Sequence, residues 1–417
     1  MPTDRSRPDA CPGALQLHQA ADGALARVRL PGGAIGGDQI AALAEAARDL
    51  GSGMIELTSR GNLQVRGLRD GCSDELAERL SAAGLLPSRT HERARNIMAS
   101  PLSGLDGLGA ADVRSLVPAL DEGLCARPVL AGLSGRFLFA LDDGRGDVVP
   151  RFRADLGARA VSGDRYEVLV AGRGRVTGVG GGEVVAALLA GAGAFLALRE
   201  RGGSEAWRIA ELDGAVPAVV AAVRGVLGGD EDRGRPDVAA SPKSVEEGSG
   251  GVRAGVAGRR TSGGRELVAV AADASLGRMS AGQALVLARF ARIVVTPWRG
   301  IVVPDVPGGE AAALLAELAA AGFAVDPESV LAGVTACTGR PGCAKALGDV
   351  QRDAPALVVT GGGAVHLSGC ERRCGKPSGR FVDVVAAMGG GYRVGGGAVL
   401  SRREEIGAAV AAAREGL

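Results

Sequence analysis

Two stretches decide how the chain is read: ELTSRGNLQV at Glu56–Val65 and VVTPWRGIVV at Val294–Val303. Each places a threonine, an Arg-Gly pair and an apolar run in the same order. NLQVRGL alternates with period two, as expected of a strand with one buried face. Upstream of it, DQIAALAEAARDLG reads as a helix ending in a glycine turn. Downstream, SDELAERLSAAG reads as a second helix with Ser73 as N-cap and Gly84 as C-cap. The late copy repeats this, with helix SAGQALVLARFA, strands RIVVTPWRGIVVPDV and helix GGEAAALLAELAAAG ending at Gly322. Thr58 precedes Gly84 by the interval that separates Thr296 from Gly322. The chain therefore carries a diverged internal repeat of roughly seventy residues.

Each copy is followed by an α/β-looking block. The first holds strands RFLFALDD and RYEVLVAG and helix EVVAALLAGAGAFLALRE; the second runs from Val330 to the end. Gly228–Ser262 lacks periodicity and is rich in Gly, Ser, Pro and charge, the composition of a flexible linker. The expected organisation is an α+β protein of two similar halves. The first half has a small unit over 1–88 and an α/β domain over 89–227. After a linker over 228–262, the second half has a small unit over 263–329 and a C-terminal α/β domain over 330–417. GVGGGEVV at Gly178–Val185 has the look of a phosphate loop but lacks the Lys-Ser/Thr and the full dinucleotide fingerprint, so a strand-to-helix turn is expected there.

The bulk properties narrow the class. The formal net charge is +1 over 417 residues, which gives no general attraction to nucleic acid or an anionic membrane. The opening MPTDRSRPDACPGAL has no apolar signal region, and no run of about 18 uninterrupted apolar residues suggests a membrane span. The expectation is a soluble cytoplasmic enzyme, a setting in which clustered cysteines serve metal or redox chemistry more often than disulfides.

Four of the seven cysteines, Cys337, Cys343, Cys370 and Cys374, stand in C-x5-C and C-x3-C near the C-terminus. Thiolates are soft ligands for an iron–sulfur cluster or zinc. Glycines and Pro341 permit a tight loop carrying the first pair, and a four-residue spacing would set the second pair on one turn of helix. That helix would follow the strand AVHLS and offer its N–H groups to anionic cluster sulfurs. Structural zinc usually shows C-x2-C knuckles, which are absent here.

These motifs resemble the nitrite and sulfite reductase family. C-x5-C followed by SGC-x3-C is similar to its cluster motif, LTSRGNLQVRGL to its "TTRQ-N-Q-RG" strand pair, RNIMASPLSGLD to its "RN-x4-P" segment, and LSGRFLFALDDGRGDV to its "LPRKFK" strand. The resemblance covers almost the whole chain apart from the linker. It implies two pseudo-symmetric ferredoxin-like half-domains, two α/β domains and an active site where they meet. It also implies that the four cysteines hold a 4Fe–4S cluster. In the reductases the last of the four bridges the cluster to sirohaem.

Within the family, TPWRG and SGCERRCG look like the branch acting in aerobic cobalamin biosynthesis. Its tetrapyrrole is a substrate, precorrin-3A, which is hydroxylated with dioxygen and closed to a lactone, giving precorrin-3B. Where the LPRKFK strand supplies two cations, this chain keeps Arg136 but has Leu138 at the second position, which disfavours reduction of a small oxyanion. The alternatives are a sirohaem nitrite or sulfite reductase linked to ferredoxin or NAD(P)H, and an iron–sulfur electron-transfer protein without a substrate. Arg60, Arg95 and Arg136 match the family's positions for tetrapyrrole carboxylates, and Arg299 is added as the repeat counterpart of Arg60. Any one of these is also open to the ordinary fate of a solvated surface cation. Arg66 shares a face with Arg60, Asn62 and Gln64 by alternation.

Electrons are expected from an external ferredoxin or reductase. The branch implies a second, mononuclear iron, but no two-histidine-plus-carboxylate pattern is visible for it. His18, His91 and His366 form no motif; His366, on the strand leading to Cys370, reads as packed. Cys11 reads as an inert thiol on an N-terminal arm, and Cys72 and Cys125 as helix-cap or core residues.

Overall fold

The computed structural model describes residues 9, 11–227 and 251–417. Among them lie four five-stranded sheets, two in each half of the chain. The first sheet is antiparallel, in the order His18–Ala20, Gly23–Val28, Leu63–Leu68, Met54–Leu57 and Arg278–Ser280. The second repeats it as Gly255–Ser262, Arg265–Asp273, Gly300–Pro307, Ile293–Val295 and Ala34–Ile35. In each, the last strand comes from the other half. The exchange is reciprocal, with Met279 opposite Ile55 and Ile35 opposite Ile293.

Each exchanged strand runs directly into a helix, Gly37–Leu50 or Ala281–Leu287. The two helix starts share one device: the side-chain oxygen of Gln39 accepts the Gly36 N–H at 2.9 Å, and that of Gln283 accepts the Ser280 N–H at 2.8 Å. Satisfying a free N-terminal donor in this way fixes where the helix begins. The two helices pack together, and a single apolar core takes in Ile40, Leu43, Ile55 and Leu63 from one half with Met279, Leu287, Ile293 and Ile301 from the other. The internal repeat thus folds as one body.

The remaining sheets repeat each other as well. Ile97–Ala99, Phe139–Asp142 and Leu156–Ser162 run parallel, followed by antiparallel Arg165–Val170 and Gly174–Gly180. Val334–Ala336, Val365–Ser368 and Val382–Ala386 run parallel, followed by antiparallel Tyr392–Val394 and Val399–Leu400. Helix Gly181–Arg201 starts directly after strand Gly174–Gly180, so the glycine-rich segment there is a strand-to-helix turn. This helix is long and apolar enough by composition to cross a membrane. Here it packs on the third sheet and on helix Ala215–Val226, burying Leu188, Ala192 and Phe195 in that domain's core.

One boundary is corrected. Of the linker expected over 228–262, residues 228–250 lie outside the described residues, but Gly255–Ser262 form an edge strand paired with Arg265–Asp273. Edge strands carry charge and glycine on exposed faces, which is why this one has the composition of a linker.

Candidate metal centre and its arginine surround

Cys337 directly follows strand Val334–Ala336, and Cys370 lies two residues beyond strand Val365–Ser368. These strands are parallel neighbours, with Ala336 opposite Leu367, so both cysteines emerge at the carboxyl end of one sheet. Open α/β sheets place their ligands at that end. The Gly369 N–H points at the Cys337 sulfur at 3.1 Å. Burial pushes the Cys337 thiol up, and this N–H partly offsets it. The loop carrying Cys343 folds back through bonds from the Cys343 N–H to the Gly339 carbonyl, 2.8 Å, and from the Leu347 N–H to the Gly369 carbonyl, 2.6 Å. A side chain at Gly369 would meet Ala346 at 2.8 Å, so the two cysteine loops touch there.

The helix expected at Cys370–Cys374 is not formed. Arg373 takes the left-handed conformation, φ 47°, and the segment makes successive turns, Arg373 N–H to Cys370 carbonyl and Lys376 N–H to Arg373 carbonyl. A helix N-terminus therefore plays no part at the cysteines. All four thiols are free. Among the described residues, only Asp142, Asp143 and Asp147 bring three potential metal-binding atoms within 4.8 Å of one another. One tetrahedral zinc would draw its thiolates to about 3.8 Å apart. No three of the four cysteine sulfurs lie that close together. The aspartate trio is already engaged: Asp142 accepts four backbone N–H groups, Arg145 pairs with Asp143, and Ser100 donates to Asp147.

His366 is buried beneath the site. Its Nδ1 lies 2.8 Å from the Thr335 hydroxyl and its Nε2 3.2 Å from the Cys374 carbonyl. Burial, then the Arg299 charge, holds its pKa down at about 3. It is a neutral packed histidine.

The arginines separate into two groups. Arg95 is buried, and its fork is taken by Asp121 on helix Leu116–Cys125, at 2.8 and 2.7 Å. It has no face left for a substrate carboxylate, which corrects the expectation for it. Arg66 pairs with Asp22 at 2.8 Å and donates to the Gly342 carbonyl at 3.1 Å, tying the first sheet to the cysteine loop. Arg299 is also buried, donating to the Leu57 carbonyl at 3.0 Å and the Gly375 carbonyl at 2.6 Å. It too is corrected: it holds protein backbone.

Arg60 belongs to the other group. Among the described residues its side chain reaches only the carbonyls of Gly135 and Arg136, at 3.5 and 3.4 Å. Beside it stand Arg27 and Arg29, which the sequence reading passed over. Arg27 donates to Gln64 at 3.0 Å and to the Cys11 sulfur at 3.3 Å. Arg29 donates to Asn96 at 2.9 Å and the Gly135 carbonyl at 2.8 Å, with the Cys11 sulfur at 3.7 Å. Among the described residues, none of the three has a carboxylate within ion-pairing distance, whereas Arg66, Arg95, Arg145 and Arg208 all do. Burial, then mutual repulsion with other arginines, lowers the Arg29 and Arg60 pKa values to about 9 and about 10. Three cations gathered with no carboxylate in ion-pairing distance among the described residues give this face a positive potential that attracts anions. The signal was present in ALARVRL, whose two arginines are two apart on one strand face. Arg136 is exposed beside this group, stacked 4.9 Å over Trp207 and 4.0 Å from Asp9. Leu138 is buried with Met98, Ala140, Val148 and Val149.

A line of polar contacts joins the arginines to the cysteines. Arg27 holds Gln64, Gln64 donates to Glu56 at 2.7 Å, and the hydroxyl of Thr338, next to Cys337, donates to Glu56 at 3.1 Å.

Comparison with known proteins agrees with this architecture. The family model described as the nitrite/sulfite reductase ferredoxin-like half domain matches twice, at 18–83 and 259–321, the two repeat copies. The two repeat copies are thus nitrite/sulfite reductase ferredoxin-like half-domains. It is 29% identical over 398 residues to a precorrin-3B synthase from a Sinorhizobium species, spanning 92% of this chain and 82% of that one. It is 27% identical over 401 residues to the ferredoxin–nitrite reductase of Synechococcus elongatus, spanning 87% and 76%. The structure of the Mycobacterium tuberculosis NirA protein superposes with a TM-score of 0.65 at 19% identity, covering 92% of this chain and 79% of that one, a likeness of fold. Members of the nitrite and sulfite reductase family usually bind iron–sulfur clusters and sirohaem, and the cysteine loops described above occupy the sheet end suited to such a group.

Proposed function

We propose that this oxidoreductase is a precorrin-3B synthase, converting precorrin-3A to precorrin-3B with dioxygen and electrons from an external ferredoxin or reductase. The observation that carries the reading is the trio Arg27, Arg29 and Arg60. Among the described residues these cations have no carboxylate within ion-pairing distance, and Arg27 is joined through Gln64, Glu56 and Thr338 to the cysteine loops. Precorrins carry several carboxylates, which planar guanidinium groups bind bidentately. The match to the Sinorhizobium synthase over 92% of the chain supports the same reading. Leu138 in an apolar cluster favours it over the reductase alternative, since reducing a small oxyanion needs cations and proton donors around the anion.

Cys337, Cys343, Cys370 and Cys374 would hold a 4Fe–4S cluster. When bound, such a cluster supplies electrons singly at low potential. The chain's own residues orient and enclose. Arg27, Arg29 and Arg60 seat substrate carboxylates, with Arg136 at the exposed rim. Asn96, fully buried, accepts from Arg29 and donates to the Phe137 carbonyl at 2.8 Å, fixing Arg29 in place. Arg66, Thr338 and Arg299 hold the cysteine loops against the first sheet.

The test is anaerobic purification with an optical spectrum, iron and acid-labile sulfide analysis, and acid–acetone extraction. The synthase reading expects iron and sulfide without sirohaem, and oxygen uptake on adding precorrin-3A. Near-stoichiometric sirohaem with turnover of nitrite or sulfite would replace it with the reductase reading. Cluster without either activity would leave an electron-transfer protein.

A further inference from the structure

Arg299 is buried in the second half-domain, yet both acceptors of its side chain lie elsewhere. Its Nε donates to the Leu57 carbonyl at the end of a first-half strand, and its Nη2 to the Gly375 carbonyl, one residue beyond Cys374. The side chain threads between two glycines of positive φ. A Cβ on Gly277 would stand 2.4 Å from its Cδ, and one on Gly375 would stand 2.1 Å from its Nη2. Gly277 in turn accepts the Leu57 N–H at 2.9 Å, and the adjacent Leu276 carbonyl accepts the Ala336 N–H at 3.3 Å, just before Cys337. Among the described residues Arg299 has no carboxylate within ion-pairing distance. Beyond burial, the Glu56 carboxylate and then the Cys337 thiol act on its charge, and His366, whose Nε2 lies against the Cys374 carbonyl, feels that charge in turn. A full positive charge is thus fixed in a desolvated slot beside two of the four cysteines, held by two backbone carbonyls and neutralised by neither.

A charge so placed is felt strongly because little water screens it. Adding one electron to a thiolate-bound cluster adds one negative charge close to it, and a fixed cation favours that reduced state. We propose that Arg299 is a positioning residue that sets the reduction potential of the group held by the cysteines, through its charge, and that it does not bind substrate. The inference rests on the iron–sulfur reading above. The step is a single electron passing from a low-potential reductant to the cluster, with no bond made or broken and no proton moved at Arg299.

The experiment is an anaerobic titration of the full-length protein with dithionite and redox mediators, following the reduced signal by electron paramagnetic resonance, in wild type and in Arg299→Gln, Arg299→Lys and Arg372→Gln. Gln at 299 removes the charge and is expected to shift the one-electron equilibrium toward the oxidised form by about tenfold, roughly 59 mV. Lys keeps the charge and is expected to stay within about twofold of wild type, while releasing iron faster because it cannot span both carbonyls. Arg372 is exposed next to the cysteines in sequence, and its loss is expected to matter little because solvent screens it. Equal shifts in the Gln and Lys variants, or none in the Gln variant, would overturn the proposal. Should the Gln protein not fold, Arg299→Met, which removes the charge and keeps an unbranched side chain, takes its place: a tenfold shift with Lys near wild type sustains the role of charge, and an unmoved potential removes it. A wild type without iron or sulfide would instead defeat the iron–sulfur reading itself.

Discussion

Arg299 occupies in the second half-domain the backbone position that Gly61 fills in the first. Both are left-handed, φ 65° and 66°, and both N–H groups bond back to a threonine carbonyl, Thr296 at 3.0 Å and Thr58 at 3.1 Å. The following N–H groups, of Gly300 and Asn62, each reach the hydroxyl of that threonine at 3.1 Å. The counterpart of Arg60 is therefore Trp298. In one half a glycine relaxes the turn; in the other the turn accepts an arginine at a cost of about 1–2 kcal/mol, and its side chain becomes the link between half-domain and cysteine loop.

That slot is expected to be intolerant of a single methyl group. Gly375→Ala combines positive φ with a clash against Arg299, and thermal or denaturant unfolding should show a loss of about 2–5 kcal/mol. Gly389→Ala is the control, since Gly389 has φ 83° and nothing within 4 Å of a new Cβ. It should lose only about 1–2 kcal/mol. Equal losses would mean that the slot is not packed as described.

Replacing any of Cys337, Cys343, Cys370 or Cys374 with Ser should remove most of the broad visible absorption and most bound iron, whereas Cys72→Ser should not. Cys72 lies buried in the half-domain core, away from these loops. Iron and sulfide analysis of the purified variants decides this, and a quadruple variant that kept both would end the assignment.

The two groups of arginines should behave differently on substitution. Alanine at Arg27, Arg29 or Arg60 should weaken tetrapyrrole binding by roughly tenfold to a hundredfold, the worth of a charge-assisted bond of about 1.5–3 kcal/mol. Alanine at Arg95 should instead cost about 3–5 kcal/mol of stability by stranding Asp121 in a largely buried pair. Titration with the tetrapyrrole alongside unfolding curves separates the two outcomes. Tight binding retained in all three of the first variants would remove the trio from the substrate site.

Asp273 gives a pH prediction. Burial raises its pKa from 3.8 to about 6, opposed by the Gly333 N–H it accepts at 2.9 Å. Because the folded value is the higher one, its favourable contribution is complete below the unfolded pKa and is lost as pH rises through about 6. Asp273→Asn keeps an acceptor for Gly333 without the charge. It should be more stable than wild type at pH 8 by on the order of 2 kcal/mol, allowing for partial exposure, and nearly equal to it at pH 4. A gain that did not change with pH would exclude this origin.

The repeat, both strand pairs and the paired α/β domains were legible because alternation and glycine punctuation are local signals. The fine alignment failed where two local cues competed. The Arg-Gly pairs matched Arg60 to Arg299, while the Thr-to-Gly interval already placed Trp298 opposite Arg60. The turn at Cys370–Cys374 was misread as helix because spacing carries no information about Arg373 adopting positive φ. Arg95 could not be told from a ligand residue because its partner, Asp121, reaches it only through tertiary packing.

The exchanged edge strands have a consequence for assembly. Ala34–Ile35 completes a sheet whose other strands begin at Gly255, and Arg278–Ser280 completes one that begins at His18. Neither half closes its own sheet, so each alone leaves an unpaired edge and an open face of the shared core. Produced as separate chains, 1–227 and 251–417 should each be prone to aggregate, yet combine on co-expression into a heterodimer with the native sheet order. A gene-fusion history in which two copies of an ancestral homodimer became one chain would leave this signature.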